Sequence, residues 1–425
     1  MNYKETAIKI LTECSRLLIG VVFIFSGFVK AVDPMGGAIK IGDYLTSFGL
    51  DVLQPFTVLA SFALSAAEFA MGVCMLLGVY RRYNSFLVLL FMAFMTPLTL
   101  YLAIFNPVSD CGCFGDALVI SNWETFFKNI VLSAAAIMVF MHTGKMFQCF
   151  TYKVYWFVAL FAYFFGIGFA YWNYNHLPVM DFRPYKIGAN IPALMEIPDG
   201  ASQDEYRYTF VYEKDGVKKE FSLEDYPQND STWTFVESKT ELLKKGYEPP
   251  VASFNIYNAG GDDVTDDILY NPNPVLLLVA PKLEEADDER IDEINSVYDY
   301  AQEYDIPFYC VTGSSSEMID EWSDNTGAEY PFRMADEVLL KTVIRSNPGL
   351  VLLKDGTIMG KWHYNDIPDE EHIKAQIESH LDINKTKEKE DGWLVTILFT
   401  FTVPLLLVWV YDFFRNRRRR KDKAE

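Results

Sequence analysis

The chain has 425 residues, half of them hydrophobic, and a formal net charge of −20. This length predicts two or three domains, and a surface this acidic argues against nucleic-acid binding because it would repel the phosphate backbone. The charge is unevenly distributed. Residues 175–391 contain 45 acidic and 20 basic side chains, whereas the remainder contains 12 and 17. We therefore predict an acidic soluble block inserted into an apolar membrane frame, with the lipid bilayer as one partner.

Six apolar segments are long enough to cross the hydrocarbon core of a bilayer. No small-residue cleavage site follows the first segment, so we expect it to be retained and not removed as a signal peptide. Basic residues flank alternate ends of the segments, and the positive-inside rule then places both termini in the cytoplasm and the soluble block outside. A multi-pass protein of the plasma or inner membrane is predicted, with spans near residues 10–32, 55–79, 84–105, 124–142, 154–174 and 393–411.

Glu68 lies near the middle of the second segment, in the sequence SAAEFAMG. A carboxylate inside a membrane is costly and marks a candidate functional residue. Glu68 could relay protons or pair with Lys30, although Lys30 lies near a helix end and could equally extend its amine to the interface. A neutral, hydrogen-bonded acid that fixes helix packing is an equally weighted alternative.

The loop between the third and fourth segments contains DCGCFGD, in which a single glycine separates Cys111 from Cys113. The predicted topology puts this loop in a compartment where disulfides persist. A disulfide between such close cysteines closes a small ring, and strain would make it easy to reduce. A redox-active pair is the favoured interpretation and a static disulfide is the second. A metal site, which would have to recruit His176, is the weakest and is not predicted.

The soluble block divides into two parts. Aromatic-rich alternating stretches, EYRYTFVYEKDG and STWTFVES, predict a small β-rich module. Further along, PVLLLVA and IPFYCVT predict buried strands that alternate with helices, and NPGLVLLKDGTIMGKW predicts a hairpin, which together indicate an α/β domain. The predicted organisation is a four-helix membrane domain (1–145), a fifth transmembrane helix (146–174), the β-rich module (175–249), the α/β domain (250–383), and a charged linker with a sixth helix and a basic cytoplasmic tail (384–425).

The order of elements in the α/β domain resembles the thioredoxin fold. Asn347-Pro348 precedes the hairpin at the place where that family keeps a cis-proline, so the resemblance implies a loop that docks a peptide or a partner protein. The family's C-x-x-C follows the first core strand, where this chain reads APKLEEADDE. Without a cysteine there, the domain is expected to bind and not to catalyse. Cys310, within the second strand, is expected to be core packing.

The membrane part, roughly residues 10–142, resembles the DoxX superfamily and in particular its MauE-like branch. The matching stretches are RLLIGVVFIFSGFVKAVDP, AAEFAMGVCMLLGVYRR and DCGCFGDALVISNWETFFKN. The predicted fold class is therefore an α-helical membrane bundle, with a four-helix DoxX/MauE-like core and two further spans, that carries an extracytoplasmic β-rich module and an α/β thioredoxin-like domain.

MauE-like proteins are associated with maturation of periplasmic methylamine dehydrogenase, whose subunits need disulfides. The resemblance implies a thiol-disulfide redox or electron-relay module of the cell envelope that acts through Cys111 and Cys113 on an extracytoplasmic thiol or partner protein. The alternative is a non-catalytic membrane assembly protein for envelope proteins. A quinone would suit a membrane oxidoreductase, but no motif supports one, and no cofactor is predicted.

Overall fold

The structure is a computed structural model, and it describes residues 3–108, 110–202, 205–214, 216–222, 225, 227, 232–244, 246–378 and 383–421. Within these residues, six helices are long and apolar enough to cross a membrane, so the predicted membrane bundle is confirmed. Five of these spans precede the soluble block: α1 (Tyr3–Val32), α3 (Thr57–Leu77), α4 (Arg81–Phe105), α5 (Asn122–Met141) and α6 (Tyr155–Asn175). The short helix α2 (Pro34–Ser47) lies between the first two, and the sixth span belongs to α13 (Ile383–Lys421).

Glycines allow α1 and α3 to pack closely. A Cβ atom added at Gly27 of α1 would lie 2.4 Å from the backbone nitrogen of Phe69, and one added at Gly72 of α3 would lie 2.6 Å from the backbone of α1. Small residues permit such close approach between membrane helices. The contact brings Glu68 of α3 next to the C-terminal half of α1, where Lys30 lies.

The helix α2 is not predicted from the sequence, because its segment PMGGAIKIGDYLTS is too short and too polar for a span. Its start follows familiar rules. The side chain of Asp33 caps the helix by accepting a hydrogen bond from the backbone nitrogen of Gly36 at 2.8 Å, and Pro34 occupies the first turn. A short 3₁₀ helix, Asp51–Phe56, then leads into α3.

The β-rich module is a three-stranded antiparallel sheet, as the alternating aromatic pattern predicts. Its strands are β1 (Glu205–Lys214), β2 (Val217–Ser222) and β3 (Thr234–Lys244), in the order β2-β1-β3. On one face, the ring of Tyr212 lies 5.9 Å from that of Phe221 and 5.6 Å from that of Phe235. Cross-strand aromatic pairs of this kind stabilise a sheet. Asp215, in the predicted turn between β1 and β2, lies outside the described residues.

The α/β domain is built on a five-stranded sheet in the order β6-β5-β4-β7-β8. The strands are β4 (Pro274–Ala280), β5 (Phe308–Thr312), β6 (Phe332–Met334), β7 (Gly349–Lys354) and β8 (Thr357–His363). Strands β4, β5 and β6 are parallel, whereas β7 is antiparallel to both of its neighbours. The helices of this domain are α7 (Ile191–Met195), α8 (Thr265–Leu269), α9 (Ile291–Glu303), α10 (Ser316–Thr326), α11 (Glu337–Val343) and α12 (Glu370–Glu378).

The central strand β4 is buried on both faces, as a continuous apolar run predicts. Val275 and Leu277 pack into the core on one side of the sheet, and Leu276 and Leu278 pack into the core on the other. The succession β4, α9, β5, α10, β7, β8 and α12 is the predicted thioredoxin-like order, with β6 and α11 inserted before the hairpin. The peptide bond of Asn347-Pro348 is cis, as the resemblance implies.

Two segments differ in structure from their predicted description. Residues 185–195, assigned from sequence to the β-rich module, lie against the α/β domain, because Tyr185 and Ile191 are buried in its core. Residues 384–391, predicted to be a linker, are part of α13 (Ile383–Lys421), which continues through the sixth span. The end of the basic tail, residues 422–425, and residues 379–382, between α12 and α13, lie outside the described residues.

Candidate functional site

The cysteine pair lies in the loop between α4 and α5, at the end of the bundle that carries the soluble block. Gly112 has a φ of +63°, a conformation that favours glycine. The Sγ atoms of Cys111 and Cys113 lie 2.9 Å apart, compared with about 2.05 Å in a disulfide. Both residues are buried, with 7% and 9% of their surfaces exposed. The structure therefore brings the two predicted residues together as a thiol pair within reach of bond formation.

Side chains of α2 hold this loop in place. The Nζ atom of Lys40 lies 2.6 Å from Oδ1 of Asp110, whose Oδ2 accepts a hydrogen bond from the backbone nitrogen of Gly112 at 2.9 Å. The hydroxyl of Tyr44 donates to the carbonyl oxygen of Cys111 at 2.6 Å. Neither Lys40 nor Tyr44 is identified from the sequence as part of the site, because no helix is predicted there.

The two thiols have different electrostatic surroundings. The hydrogen bond that they share lowers the pKa of Cys113, to about 6, and raises the pKa of Cys111. Burial opposes ionisation of either thiol. Both cysteines pack in one apolar cluster with Leu102. The positive charges of Lys128 and Lys30 also favour the thiolate form of Cys113, and Lys30 acts in the same direction on Cys111, where the shared hydrogen bond and burial outweigh it. These surroundings favour a thiolate at Cys113 that accepts a hydrogen bond from the thiol of Cys111.

Glu68 is buried and linked to the cysteine loop through α1. The Nζ atom of Lys30 lies 2.7 Å from Oε1 and 2.9 Å from Oε2 of Glu68. The hydroxyl oxygen of Ser26 lies 2.7 Å from Oε2 of Glu68 and also 2.7 Å from the carbonyl oxygen of Cys113. Ser26 is missed by the sequence analysis, since a serine among apolar residues of a membrane helix carries no signal of its own.

A small cavity connects these groups. It lies between α1, α3, α4, α5 and the cysteine loop and has a volume of about 30 Å³, which is enough for a water molecule. Apolar side chains of the three helices form most of its wall. Lys128 enters from α5 and also lies over the ring of Phe114, 4.2 Å from its centroid. The polar lining consists of Ser26, Lys30, Glu68, Cys113, Lys128 and Asn129.

Arg345 of the α/β domain contacts the membrane bundle beside the cysteine pair. Its guanidinium lies 3.0 Å from the carboxylate of Asp33, which caps α2, and 3.4 Å from that of Asp116. Asp116 follows Cys113 by three residues. Burial raises the pKa of Asp116, and the charge of Arg345 opposes that rise. These two ion pairs, which we call the arginine clamp, dock the α/β domain on the loop that carries the cysteines.

A second contact docks the same domain on the end of α6. The ring nitrogen Nδ1 of His176 lies 2.8 Å from the carboxylate of Asp366. The side chain of Asn365 donates to the backbone carbonyl of Asn175 at 2.9 Å. The ring of His176 also packs on Trp172, with the centroids 4.2 Å apart. His176, considered from sequence as a metal ligand, is thus engaged in this docking contact.

The loop of Asn347 and Pro348 contacts residues 282–287, in the segment that follows β4. The side-chain nitrogen of Asn347 donates to the carbonyl of Lys282 at 2.8 Å, and its backbone carbonyl accepts from the nitrogen of Asp287 at 2.9 Å. Docking of a peptide on this loop stays a prediction. Cys310 is fully buried in β5, and burial raises its pKa, which describes an unreactive core thiol.

The α/β domain should lose stability in acid through His363. Burial lowers the pKa of His363 to about 4, whereas an unfolded histidine has a pKa of about 6.5. Its Nδ1 accepts a hydrogen bond from the backbone nitrogen of Asn365, which requires a neutral ring. The contribution of His363 to the free energy of unfolding is therefore fully present above pH 6.5, and it falls by about 3 kcal/mol as the pH approaches 4.

Thermal unfolding of the full chain at pH 7 and pH 4.5 tests this expectation. The variant His363→Gln should lose less stability on acidification than the wild-type chain. His372 is exposed, beside Asp369, and His372→Gln is the matched control that should behave like wild type. Equal acid sensitivity of the wild-type and His363→Gln chains would contradict the role of His363.

Comparison with known proteins finds similarities for parts of the chain. Residues 8–142 match the family described as "Methylamine utilisation protein MauE", so the MauE part of the predicted resemblance is confirmed for the membrane domain. Residues 206–245 match a family described as "Domain of unknown function (DUF8463)". No curated protein matches the chain. A solved structure from Bacteroides thetaiotaomicron, described as a candidate protein disulfide isomerase, is 17% identical and has a TM-score of 0.23; the match covers 29% of this chain and 80% of that one.

Proposed function

We propose that the protein is a membrane thiol-disulfide redox module in which Cys111 and Cys113 alternate between a dithiol and a disulfide. The observation that carries this proposal is the 2.9 Å separation of the two sulfur atoms, one of them in surroundings that favour a thiolate. A thiolate is the form that attacks a disulfide. The match of residues 8–142 to the family described as "Methylamine utilisation protein MauE" is compatible with this role.

The exchange partner in this proposal is a thiol or disulfide of an extracytoplasmic protein. The α/β domain does not supply it, because residues 281–290 contain no cysteine and Cys310 is fully buried. That domain instead serves as a docked, partner-binding element beside the pair. The arginine clamp supports this division of roles, since it joins the α/β domain to the loop that performs the exchange.

Thiol trapping in cells tests the redox proposal. Cells grown under oxidising and under reducing conditions are quenched in acid, and free thiols are alkylated before mass analysis of the peptide that contains both cysteines. We expect the peptide to gain two labels in reducing medium and none in oxidising medium. A pair that stays in one state under both conditions contradicts the proposal.

The second candidate function is a non-catalytic membrane assembly protein. The observation that favours it is the burial of both cysteines beside a docked domain that has no accessible cysteine. Under this alternative the pair is a static disulfide that stiffens the loop. The double variant Cys111→Ser, Cys113→Ser then fails to accumulate in the membrane, whereas under the redox proposal it accumulates normally but no longer supports function.

The proposal requires the cysteine loop and the soluble block to face the same extracytoplasmic compartment, with both termini in the cytoplasm. The basic residues near alternate helix ends support this orientation. Reporter fusions after Lys145 and after Tyr247 should therefore report opposite compartments. Matching signals from the two fusions would contradict the topology, and with it the oxidising environment that the redox role needs.

A further inference from the structure

The hydroxyl of Ser26 has more acceptors than it can satisfy. Its oxygen lies 2.7 Å from Oε2 of Glu68 and 2.7 Å from the carbonyl oxygen of Cys113. A serine hydroxyl has a single proton to donate. If Glu68 is ionised, Ser26 can donate to only one of these two acceptors. If Glu68 is protonated at Oε2, its hydroxyl donates to Ser26, which then donates to Cys113, and Lys30 can still donate to Oε1 although its ion pair is lost.

The protonation of Glu68 is thus linked to the backbone of the cysteine loop. With an ionised carboxylate, the Ser26 hydroxyl is drawn toward Glu68 and away from the loop. With a protonated carboxyl, it donates to the carbonyl oxygen of Cys113. A buried hydrogen bond to the loop is therefore gained or lost with one proton on Glu68, and such buried bonds are costly to leave unmade.

The charges that face this contact come from every surrounding element. Lys30 of α1 pairs with Glu68, Lys128 enters the cavity from α5, and the loop contributes the thiolate of Cys113. On the α2 side, Lys40 is paired with Asp110 and adds no net charge. The charge near the cavity is therefore decided by two lysines, one thiol and one carboxyl.

Charge conservation connects the carboxyl to the redox state. In the dithiol state, with a thiolate at Cys113 and a proton on Glu68, two lysines and one thiolate give a net charge of +1. In the disulfide state, with Glu68 ionised, two lysines and one carboxylate again give +1. Glu68 and Cys113 are both buried, and a buried site favours a change of oxidation state that leaves its charge unchanged, because burying an uncompensated charge is expensive.

We propose that Glu68 is the proton-storing residue of the redox pair, protonated while Cys111 and Cys113 are a dithiol and ionised while they are a disulfide. This inference rests on the proposed redox function and identifies Glu68 as the residue that binds the second proton of the reduction. On reduction, the partner's dithiol becomes a disulfide and gives up two electrons and two protons. The bond between Cys111 and Cys113 breaks, the electrons pass to the two sulfur atoms, one proton binds Cys111 and the other binds Glu68.

The pH dependence of the reduction equilibrium tests this assignment. Full-length protein in lipid nanodiscs is equilibrated with thiol-disulfide buffers of known potential between pH 7 and pH 8.5, and the state of the pair is read by trapping. With two protons per two electrons, the midpoint potential of the pair should fall by about 59 mV per pH unit, which corresponds to about a hundredfold in the reduction equilibrium at a fixed potential. In Glu68→Gln, which cannot store the proton, the midpoint potential should fall by about 30 mV per pH unit, which corresponds to about tenfold.

The control is Glu124→Gln at the start of α5, where a glutamine preserves the capping box with Ser121. Its slope should equal that of the wild-type protein. Equal slopes in the wild-type protein and Glu68→Gln overturn the proton-storage assignment while leaving the redox function intact. A pair that never changes state at any potential, in every protein tested, overturns the redox function itself.

A second measurement uses the wild-type protein and so does not depend on the folding of Glu68→Gln. Infrared difference spectra of the wild-type protein, reduced minus oxidised, should contain the carbonyl stretching band of a protonated carboxyl. The conservative variant Glu68→Asp should shift that band. A reduced state without any protonated-carboxyl band would overturn the proposal.

Discussion

Cys113 should react with a small alkylating reagent at least about tenfold faster than Cys111 at pH 7, because only the thiolate is nucleophilic. Each thiol is measured in the variant in which its neighbour is serine. In Cys111→Ser, the serine hydroxyl can still donate a hydrogen bond to the Cys113 thiolate, and Lys128 and Lys30 remain near it. In Cys113→Ser, Cys111 is left in its apolar cluster, where burial raises its pKa.

The variant Cys111→Ala tests the source of the reactivity. Alanine removes the hydrogen-bond donor but leaves both lysines, so Cys113 should react more slowly there than in Cys111→Ser. Reaction rates are measured from label incorporation into the peptide that contains the remaining cysteine. If Cys111 reacts as fast as Cys113, the assignment of the thiolate to Cys113 is wrong.

Replacing Arg345 by glutamate should expose the cysteine pair, with an increase of about tenfold in its rate of modification by a bulky, membrane-impermeant maleimide. The substitution breaks the arginine clamp and places a third carboxylate beside Asp33 and Asp116. Like charges at this distance repel strongly where water is partly excluded. The α/β domain should therefore leave the loop while its contact with the end of α6 remains.

The matched control for this experiment is Arg333→Glu. Arg333 belongs to the same domain but takes no part in the clamp. Its guanidinium carbon lies over the ring of Tyr309, 4.5 Å from the ring centroid. Its replacement should leave the modification rate unchanged. Asp33→Asn offers an independent variant, since asparagine still caps α2 while the ion pair is lost. Protection of the cysteines that persists in both Arg345→Glu and Asp33→Asn would show that the clamp does not control access.

The sequence predicts most of the fold because its signals are periodic and local. The six spans, the buried run of β4 and the turn at Asp355-Gly356 all follow from hydropathy or turn chemistry. The helix α2 is not predicted, because its segment is shorter than a membrane span and its apolar residues do not recur at a clear helical spacing. The attachment of residues 185–195 to the α/β domain is not predicted, because the backbone nitrogens of Gly188 and Ile191 donate to the carbonyls of Ile358 and Gly356, more than 150 residues away in the sequence.

The candidate site is predicted only in part, for the same reason. Cys111, Cys113 and Glu68 stand out as unusual residues in their settings. Ser26, Tyr44 and Arg345 do not, because each becomes notable only through a partner far along the chain. Ser26 contacts the loop 87 residues away, and Arg345 contacts Asp33 from 312 residues away. Such contacts follow from the packing of whole elements and leave no local pattern.

The soluble block is attached to the membrane at both of its ends, through α6 and α13. Docking of the α/β domain is therefore an intramolecular event, with an effective concentration on the order of millimolar for short connections. Two partly exposed ion pairs contribute on the order of 1 kcal/mol each, too little to join separate proteins. Within one chain they suffice, so the closed arrangement is independent of expression level, and an incoming partner must compete with a domain that never diffuses away.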